Sequence, residues 1–337
     1  MCARGLGRNH EEVNMKSNRM LCISHDSALF YWRTNPPQYV LEGGDRNIRS
    51  LRHSPRTKEQ FNSFFLAEAE FGPDPIDVLL TKNTPYTPER FRAHFQCKQL
   101  PPHSLYPLHD GIHIVSPELC LVQLCHSLPF VEALQLGMEL CGIYAVREDT
   151  DEGMAKRTYC LVDANAFRRH TNAWKDYKGI GQARKVAQYL ESGSGSPMET
   201  KLYLLLCLPV KYGGYGLPRP ELNPDIPLSE KDARLLQKKK VQPDFLWRGV
   251  GGNAGWIVEY GGKYHEYGYQ PVKDEMRRTV LESMGYTVME VKYEQMKSWA
   301  ACDSIAKTLA KALGWRMRPL TLGQEYKRQE LRRALGL

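Results

Sequence analysis

Three acids and two bases in the second half of the chain have types and spacing that could do chemistry. Asp244 lies in the run Val241-Gln-Pro-Asp-Phe-Leu-Trp247, and Glu259 in Trp256-Ile-Val-Glu-Tyr260. Both runs read as strands, and the glycine-rich segment from Arg248 to Gly255 joins them as a hairpin. On adjacent strands the two carboxylates could point to one face. Side by side they repel, and each raises the other's pKa unless a cation sits between them. Mg2+, a hard ion that takes oxygen ligands, is the natural occupant, with Mn2+ as its substitute. Such an ion neutralises phosphate charge and activates water for in-line attack. Glu199 is the third acid. Ser196-Pro-Met-Glu199 fits a capping box with Pro197 at the first helical position, so Glu199 has a structural reading as well as a metal-ligand one. Lys263 and His265 follow the second strand. They could supply a positive charge or a general base, or simply form a surface hairpin tip.

The elements that must position these groups are legible in outline. Leu202 to Leu208 follows a helical face after Glu199. Asp274 to Gly285 reads as a helix closed by a glycine, Thr287 to Val291 as a strand, and residues 296–313 as an amphipathic helix. Helix, strand, strand, helix, strand, helix is an α/β arrangement, a mixed sheet with helices on its faces. Earlier in the chain, strands are expected at Met20–Ser24, Ile76–Leu80 and Ile112–Val115. A helix follows Ser24, and another starts at Ser116-Pro117. The apolar stretches 118–127 and 130–144 should pack together, and 163–190 should be mostly helical, broken at Gly179 and Gly181. This is a mixed α+β domain. Ser192-Gly-Ser-Gly-Ser196 reads as flexible punctuation between two domains. The expected division is a flexible 1–20, an α+β domain over 21–191, an α/β domain over 192–315, and a basic tail helix over 316–337.

Composition narrows the partners. The chain has 337 residues, 42% hydrophobic and 25% charged. Its mean hydropathy is −0.50 and no run approaches the roughly 18 apolar residues of a spanning helix. No apolar segment of secretory type follows the basic N-terminus. These features predict a cytoplasmic protein without membrane contact. Lys and Arg total 46 against 38 Asp and Glu, a net +8. That suits either solubility or a polyanion such as DNA. Arg46, Arg49, Arg52 and Arg56 could form a phosphate-contacting arm or a solvated stretch. Lys327, Arg328, Arg332 and Arg333 on the tail helix carry the same two readings, and Arg277 and Arg278 are further candidates for DNA. Arg90, Arg92, His94 and His103 would be metal ligands only if they converge. The nine cysteines include no CxxC pair and read as small buried hydrophobes.

Taken in order, Glu199, Pro243-Asp-Phe245, Val258-Glu-Tyr260, Gly262, His265, Asp274, Arg277, Leu281, Gly285, Tyr286 and Val288 resemble the very-short-patch-repair-like endonuclease domains of the PD-(D/E)xK superfamily. The resemblance covers about residues 196–315. It implies a restriction-endonuclease-like fold, Mg2+ or Mn2+ held by Glu199, Asp244 and Glu259, and assistance from Lys263 or His265. The chain departs from the pattern at Gly261, where the superfamily places its lysine and the family an acid. The first half, through Ile23-Ser-His-Asp-Ser-Ala-Leu29 and Val115-Ser-Pro-Glu-Leu-Cys-Leu121, resembles more distantly the antitoxins of abortive-infection type IV systems. That resemblance implies an N-terminal winged helix on operator DNA and a toxin-type protein partner. Two functions are therefore expected. One is a Mg2+-dependent DNA endonuclease or nickase of a bacterial or phage defence or toxin–antitoxin system. The other is a non-catalytic DNA-binding regulator that keeps the nuclease fold. A two-domain interaction protein, whose acids only cap and solvate, is the plainer alternative.

Overall fold

The computed structural model describes residues 19–35, 51, 53–81, 85–96, 98–249, 254–261 and 270–337. The protein is a mixed α/β chain that divides into two compact units, 1–129 with 165–187 and 130–164 with 188–337.

The first unit is built on a five-stranded sheet of order β3-β2-β1-β5-β4. Its strands and first helices are β1 (Leu21–Ile23), α1 (His25–Thr34), α2 (Lys58–Asn62), α3 (Glu68–Phe71), β2 (Ile76–Leu80), β3 (Phe91–Phe95), β4 (Leu105–Pro107), β5 (Ile112–Val115) and α4 (Pro117–Leu124). β1 pairs parallel with β5 and antiparallel with β2, and β2 runs parallel to β3. Every residue of β1 and β2 is buried, as central strands require, including Asp77 within the otherwise apolar β2. Ser116 caps α4 through Leu119 N, with Pro117 at the first helical position, as the sequence predicts. A winged helix would set a small helical core beside a β-hairpin. This unit has instead a five-stranded mixed sheet among its described residues.

The chain then crosses to the second unit for α5 (Phe130–Leu140), β6 (Tyr144–Val146) and β7 (Met154–Lys156), and returns for α6 (Ala164–Ala173) and α7 (Ile180–Ala187). Gly179 does break this stretch. Its φ is +86°, and a Cβ there would collide with the Val122 carbonyl. Gly181 lies inside α7 and breaks nothing.

His25 opens α1 with φ +49°, a left-handed conformation that non-glycine residues seldom adopt. Burial, reinforced by the charges of His94, His126 and Lys178, pushes its pKa down to about 3. The unfolded imidazole titrates near about 6.5. Stability from this group is therefore full above about pH 6.5 and falls as pH drops toward 3, because the unfolded chain takes up a proton that the folded one refuses. Between about pH 6.5 and 5 the loss is about 2 kcal/mol. His25→Asn tolerates the left-handed backbone and cannot titrate. Urea unfolding at pH 7 and pH 5 should show a smaller acid loss in this variant than in wild type; equal losses contradict the assignment.

The second unit continues with α8 (Pro197–Cys207), β8 (Glu221–Leu222), β9 (Ile226–Pro227), α9 (Glu230–Leu236), β10 (Lys240–Val241), β11 (Phe245–Arg248), β12 (Gly255–Gly261), α10 (Gln270–Ser283), β13 (Tyr286–Lys292), α11 (Tyr293–Lys297), α12 (Trp299–Ala312) and α13 (Leu322–Ala334). Its sheet has the order β13-β12-β11-β8. The hairpin β11–β12 is antiparallel, and β12 runs parallel to β13 across the α10 connection. Leu246, Ile257 and Leu281 join Ile226 and Val241 in one buried cluster, which sets α10 on the face shared by Leu246 and Ile257. The expected helix over 296–313 is two helices, because Ser298 turns extended and caps the second through Ala301 N. Among the described residues no helix is long and apolar enough to cross a membrane.

The Gly/Ser run is not a linker. Gly193 N donates to Cys141 O at 2.9 Å and Ile143 N to Ser194 O at 2.8 Å. Ser194 Oγ and Tyr144 Oη each lie 2.9 Å from Thr200 Oγ1, all buried. Small side chains here permit tight turns whose polar groups are fully paired. The run therefore lies inside the second unit, and residues 130–164 belong with it.

Candidate acidic site

The register of the hairpin places the first two acids. Phe245 pairs with Val258 and Leu246 with Ile257, so Asp244 falls opposite Glu259, on the face of Leu246 and Ile257. Asp244 Oδ2 accepts a hydrogen bond from Tyr260 N at 2.6 Å, and its own carbonyl accepts from Asn223 N. Glu199 reaches the site from the first turn of α8. Ser196 Oγ accepts from Glu199 N at 3.1 Å, which is half of the predicted capping box. The other half does not form. The Glu199 carboxylate accepts from Gly195 N and from Asn223 Nδ2, each at 2.8 Å. It is therefore turned toward the loop before the helix and toward Asn223, the residue that also holds the Asp244 backbone.

The three acids feel one another. Burial first, then the charges of Glu199 and Glu259, push the Asp244 carboxyl well above the usual carboxylate range. Burial also raises Glu259, against the opposing charge of Arg277. Arg277 Nη1 lies 2.8 Å from Glu259 Oε1, and Arg277 Nη2 donates to Gln242 O at 2.9 Å. The Arg277 guanidinium pairs with a Glu259 oxygen that is shut off from solvent. Arg277, expected to face DNA, is thus engaged with a site acid. Among the described residues, no three acidic, histidine or cysteine side chains are grouped closely enough to hold a metal ion as they stand.

A fourth acid escaped the sequence reading. Glu290 pairs with Glu259 in the parallel register, so the two side chains share a face. A Cβ at Gly261 would collide with Glu290 Oε1. The carboxylate of Glu290 therefore lies over the position where a lysine or acid at 261 would stand. The strand Tyr286–Lys292 was legible, but the register that sets Glu290 beside Glu259 was not. Asn223 had no signal, since it lies in a proline-rich loop.

The remaining predicted residues scatter. Lys263, His265, Arg46, Arg49 and Arg52 lie outside the described residues. Arg56 is exposed near α2. Arg278 is exposed and paired with Glu282 one turn along, and Lys327 is exposed and paired with Glu330. Arg333 is exposed. Arg328 and Arg332, expected on a solvated helix face, are buried at 3% and 6% exposure. Arg328 stacks 3.8 Å over the Tyr215 ring and donates to Gly213 O, Gly214 O and Asp303. Arg332 donates to Met296 O and Lys297 O. Their long stems cross apolar packing to reach carbonyls left unpaired at turns and at the end of α11, so they fasten α13 rather than face a phosphate.

No family model, no curated protein and no solved structure matches the chain.

Proposed function

We propose that the second unit is a metal-dependent DNA endonuclease or nickase of PD-(D/E)xK type. One observation carries this reading: the acids of α8, of the residue before β11 and of β12 lie near enough for their charges to act on one another, and burial together with that repulsion raises Asp244 and Glu259, although the three are not grouped as a ligand set as they stand. Fold stability alone disfavours such a cluster, and a divalent cation reverses its sign. The donor set fits that ion in kind. All three groups are carboxylates, and Glu259 Oε1 is a buried oxygen whose near partner is Arg277 Nη1 at 2.8 Å. Glu199, Asp244 and Glu259 would hold Mg2+ or Mn2+, which supplies Lewis-acid neutralisation of a phosphodiester.

The chain's own residues do the rest. Tyr260 N and Asn223 fix Asp244 and Glu199. Arg277 balances the charge of Glu259 from 2.8 Å. Lys263 and His265 follow β12 and are the groups proposed to serve water or the leaving oxygen. The exposed Arg56, Arg278, Lys327 and Arg333 are proposed phosphate contacts. A place in a defence or toxin–antitoxin system, with a toxin-type protein as partner, belongs to the same proposal. The test is nicking of supercoiled plasmid with Mg2+ or Mn2+ and with chelator.

A second reading, a DNA-binding regulator that does not cut, is favoured by Gly261 and the Glu290 carboxylate lying over it. Gly261→Lys separates the two. The obstacle is the far end of a flexible side chain on an exposed residue, so Glu290 can yield. Restoring a cation beside the acids should raise the nicking rate at least about tenfold, within the range of one acid–base group. A rate at or below wild type removes position 261 from the catalytic argument.

A further inference from the structure

The first unit holds a cavity of about 170 Å3 that the nuclease reading does not use. Its polar lining includes His25, His94, His126, Gln123 and Lys178, with Gln96 and Tyr177, and the rest is apolar. Among the described residues no carboxylate lines it.

The histidines are held in place from behind. His94 Nε2 lies 2.7 Å from Asp77 Oδ1, and Asp77 is 2% exposed. A buried carboxylate at that distance takes the Nε2 proton, fixes the tautomer and stabilises the imidazolium. The His25 ring stacks on His94 with centroids 3.5 Å apart and planes at 15°. Two imidazolium rings in that stack would repel strongly, so the pair carries one charge. The Asp77 carboxylate lies against His94, whereas Ser24 Oγ lies 3.0 Å from His25 Nδ1, so a cationic ring in this stack is favoured at His94. Stacked rings aim their ring nitrogens side by side rather than at one point, which suits an anion better than a metal. His25 is also held left-handed, with its backbone N–H donated to the Gln123 side chain. A strained backbone inside a cluster of titratable groups is characteristic of binding and catalytic sites.

We propose that this cavity binds a phosphoryl group, as free phosphate or as a small phosphomonoester. Lys178 and the imidazolium of His94 supply the charge, and His126 and Gln123 supply further donors. The apolar wall accepts the ester's carbon skeleton. A cavity of this size holds a body on the scale of a benzene ring. The charges facing His94 are Asp77 on β2, Arg92 on β3, His25 and Asp26 on α1, His126 after α4 and Lys178 before α7. Arg92 lies 3.4 Å from the same Asp77 oxygen, so Asp77 is balanced from behind, and the cavity's charge is set by His94, His126 and Lys178.

Calorimetric titration of the full chain with inorganic phosphate and with phenyl phosphate, at matched ionic strength in chloride, tests this. Binding at pH 6 is expected in the millimolar range or tighter. Lys178 is exposed, so Lys178→Met should leave the fold intact. It should weaken binding at pH 6 at least about tenfold, the scale of one charge-assisted hydrogen bond. Tighter phenyl phosphate assigns the site to an ester, and tighter inorganic phosphate to the free ion. Absence of binding at about 10 mM of either ligand, or equal affinity in Lys178→Met, overturns the proposal. Neither result bears on plasmid nicking, because the two sites are in different units.

Discussion

Asp244→Asn is expected to slow Mg2+-dependent nicking of plasmid by at least about a thousandfold, some 4 kcal/mol of barrier. The substitution is nearly isosteric. The amide oxygen can still accept from Tyr260 N, so the hairpin edge is preserved. Only the charge is lost, and with it one of three acids on the proposed cation. The same change should stabilise the metal-free protein by about 1 kcal/mol, in the range of relieved site strain. The sign follows from the raised Asp244 carboxyl. A carboxyl whose folded pKa lies above its unfolded value contributes stability below the unfolded pKa. That contribution is lost as pH rises through the folded one. Wild type should therefore weaken as pH climbs above the ordinary carboxylate range, and Asp244→Asn should weaken less. Plasmid gels and melting curves across pH check both halves. Nicking at the wild-type rate by the variant contradicts the role of Asp244, and a variant less stable than wild type at pH 7 contradicts the electrostatics.

Arg328→Ala is expected to destabilise the second unit by about 3 kcal/mol or more, because it removes one partner from buried polar groups and leaves the others unpaired. The guanidinium satisfies Gly213 O and Gly214 O, pairs with Asp303, and lies flat on Tyr215. Lys cannot replace it, since an ammonium offers neither the planar stack nor the fork. Arg333 is the contrast. It is exposed on the same helix, so Arg333→Ala should leave the melting temperature unchanged. If α13 contacts DNA, that variant reduces the salt slope of binding by about one. Melting curves and gel-shift salt titrations read the two effects separately. A stable Arg328→Ala with a reduced salt slope would return Arg328 to the DNA-facing set.

The strands at β1, β2, β5, β11, β12 and β13 and the cap at Ser116 were legible because they depend on local composition; the other strands, and every pairing but the β11–β12 hairpin, were not. The hairpin that opposes Asp244 to Glu259 follows from the two runs and their turn, and the helix before Gly285 from its closing glycine. Long-range facts were not legible. The Gly/Ser run looks like a linker until Cys141, Ile143 and Thr200 arrive to pair with it. The basic tail looks solvated because a one-dimensional charge count cannot tell a phosphate contact from an arginine reaching distant carbonyls. Arg277 carries a motif position in the sequence, yet its ion pair with Glu259 depends on how α10 lies across the sheet. Glu290 depends on a parallel register set by a crossover, which local pattern does not encode.

Direct uptake of the cation is the sharpest measurement. Titration calorimetry of the full chain with MnCl2 and MgCl2, in two buffers of different protonation enthalpy, with and without duplex oligonucleotide, reads both binding and proton release. Binding to wild type should expel more protons as pH is lowered toward the carboxylate range, because burial raises the Asp244 and Glu259 carboxyls and any proton they hold must be given up to coordinate. Asp244→Asn should show neither the uptake nor the proton release. Heat indistinguishable from dilution in wild type, with DNA present as well as absent, would contradict the account.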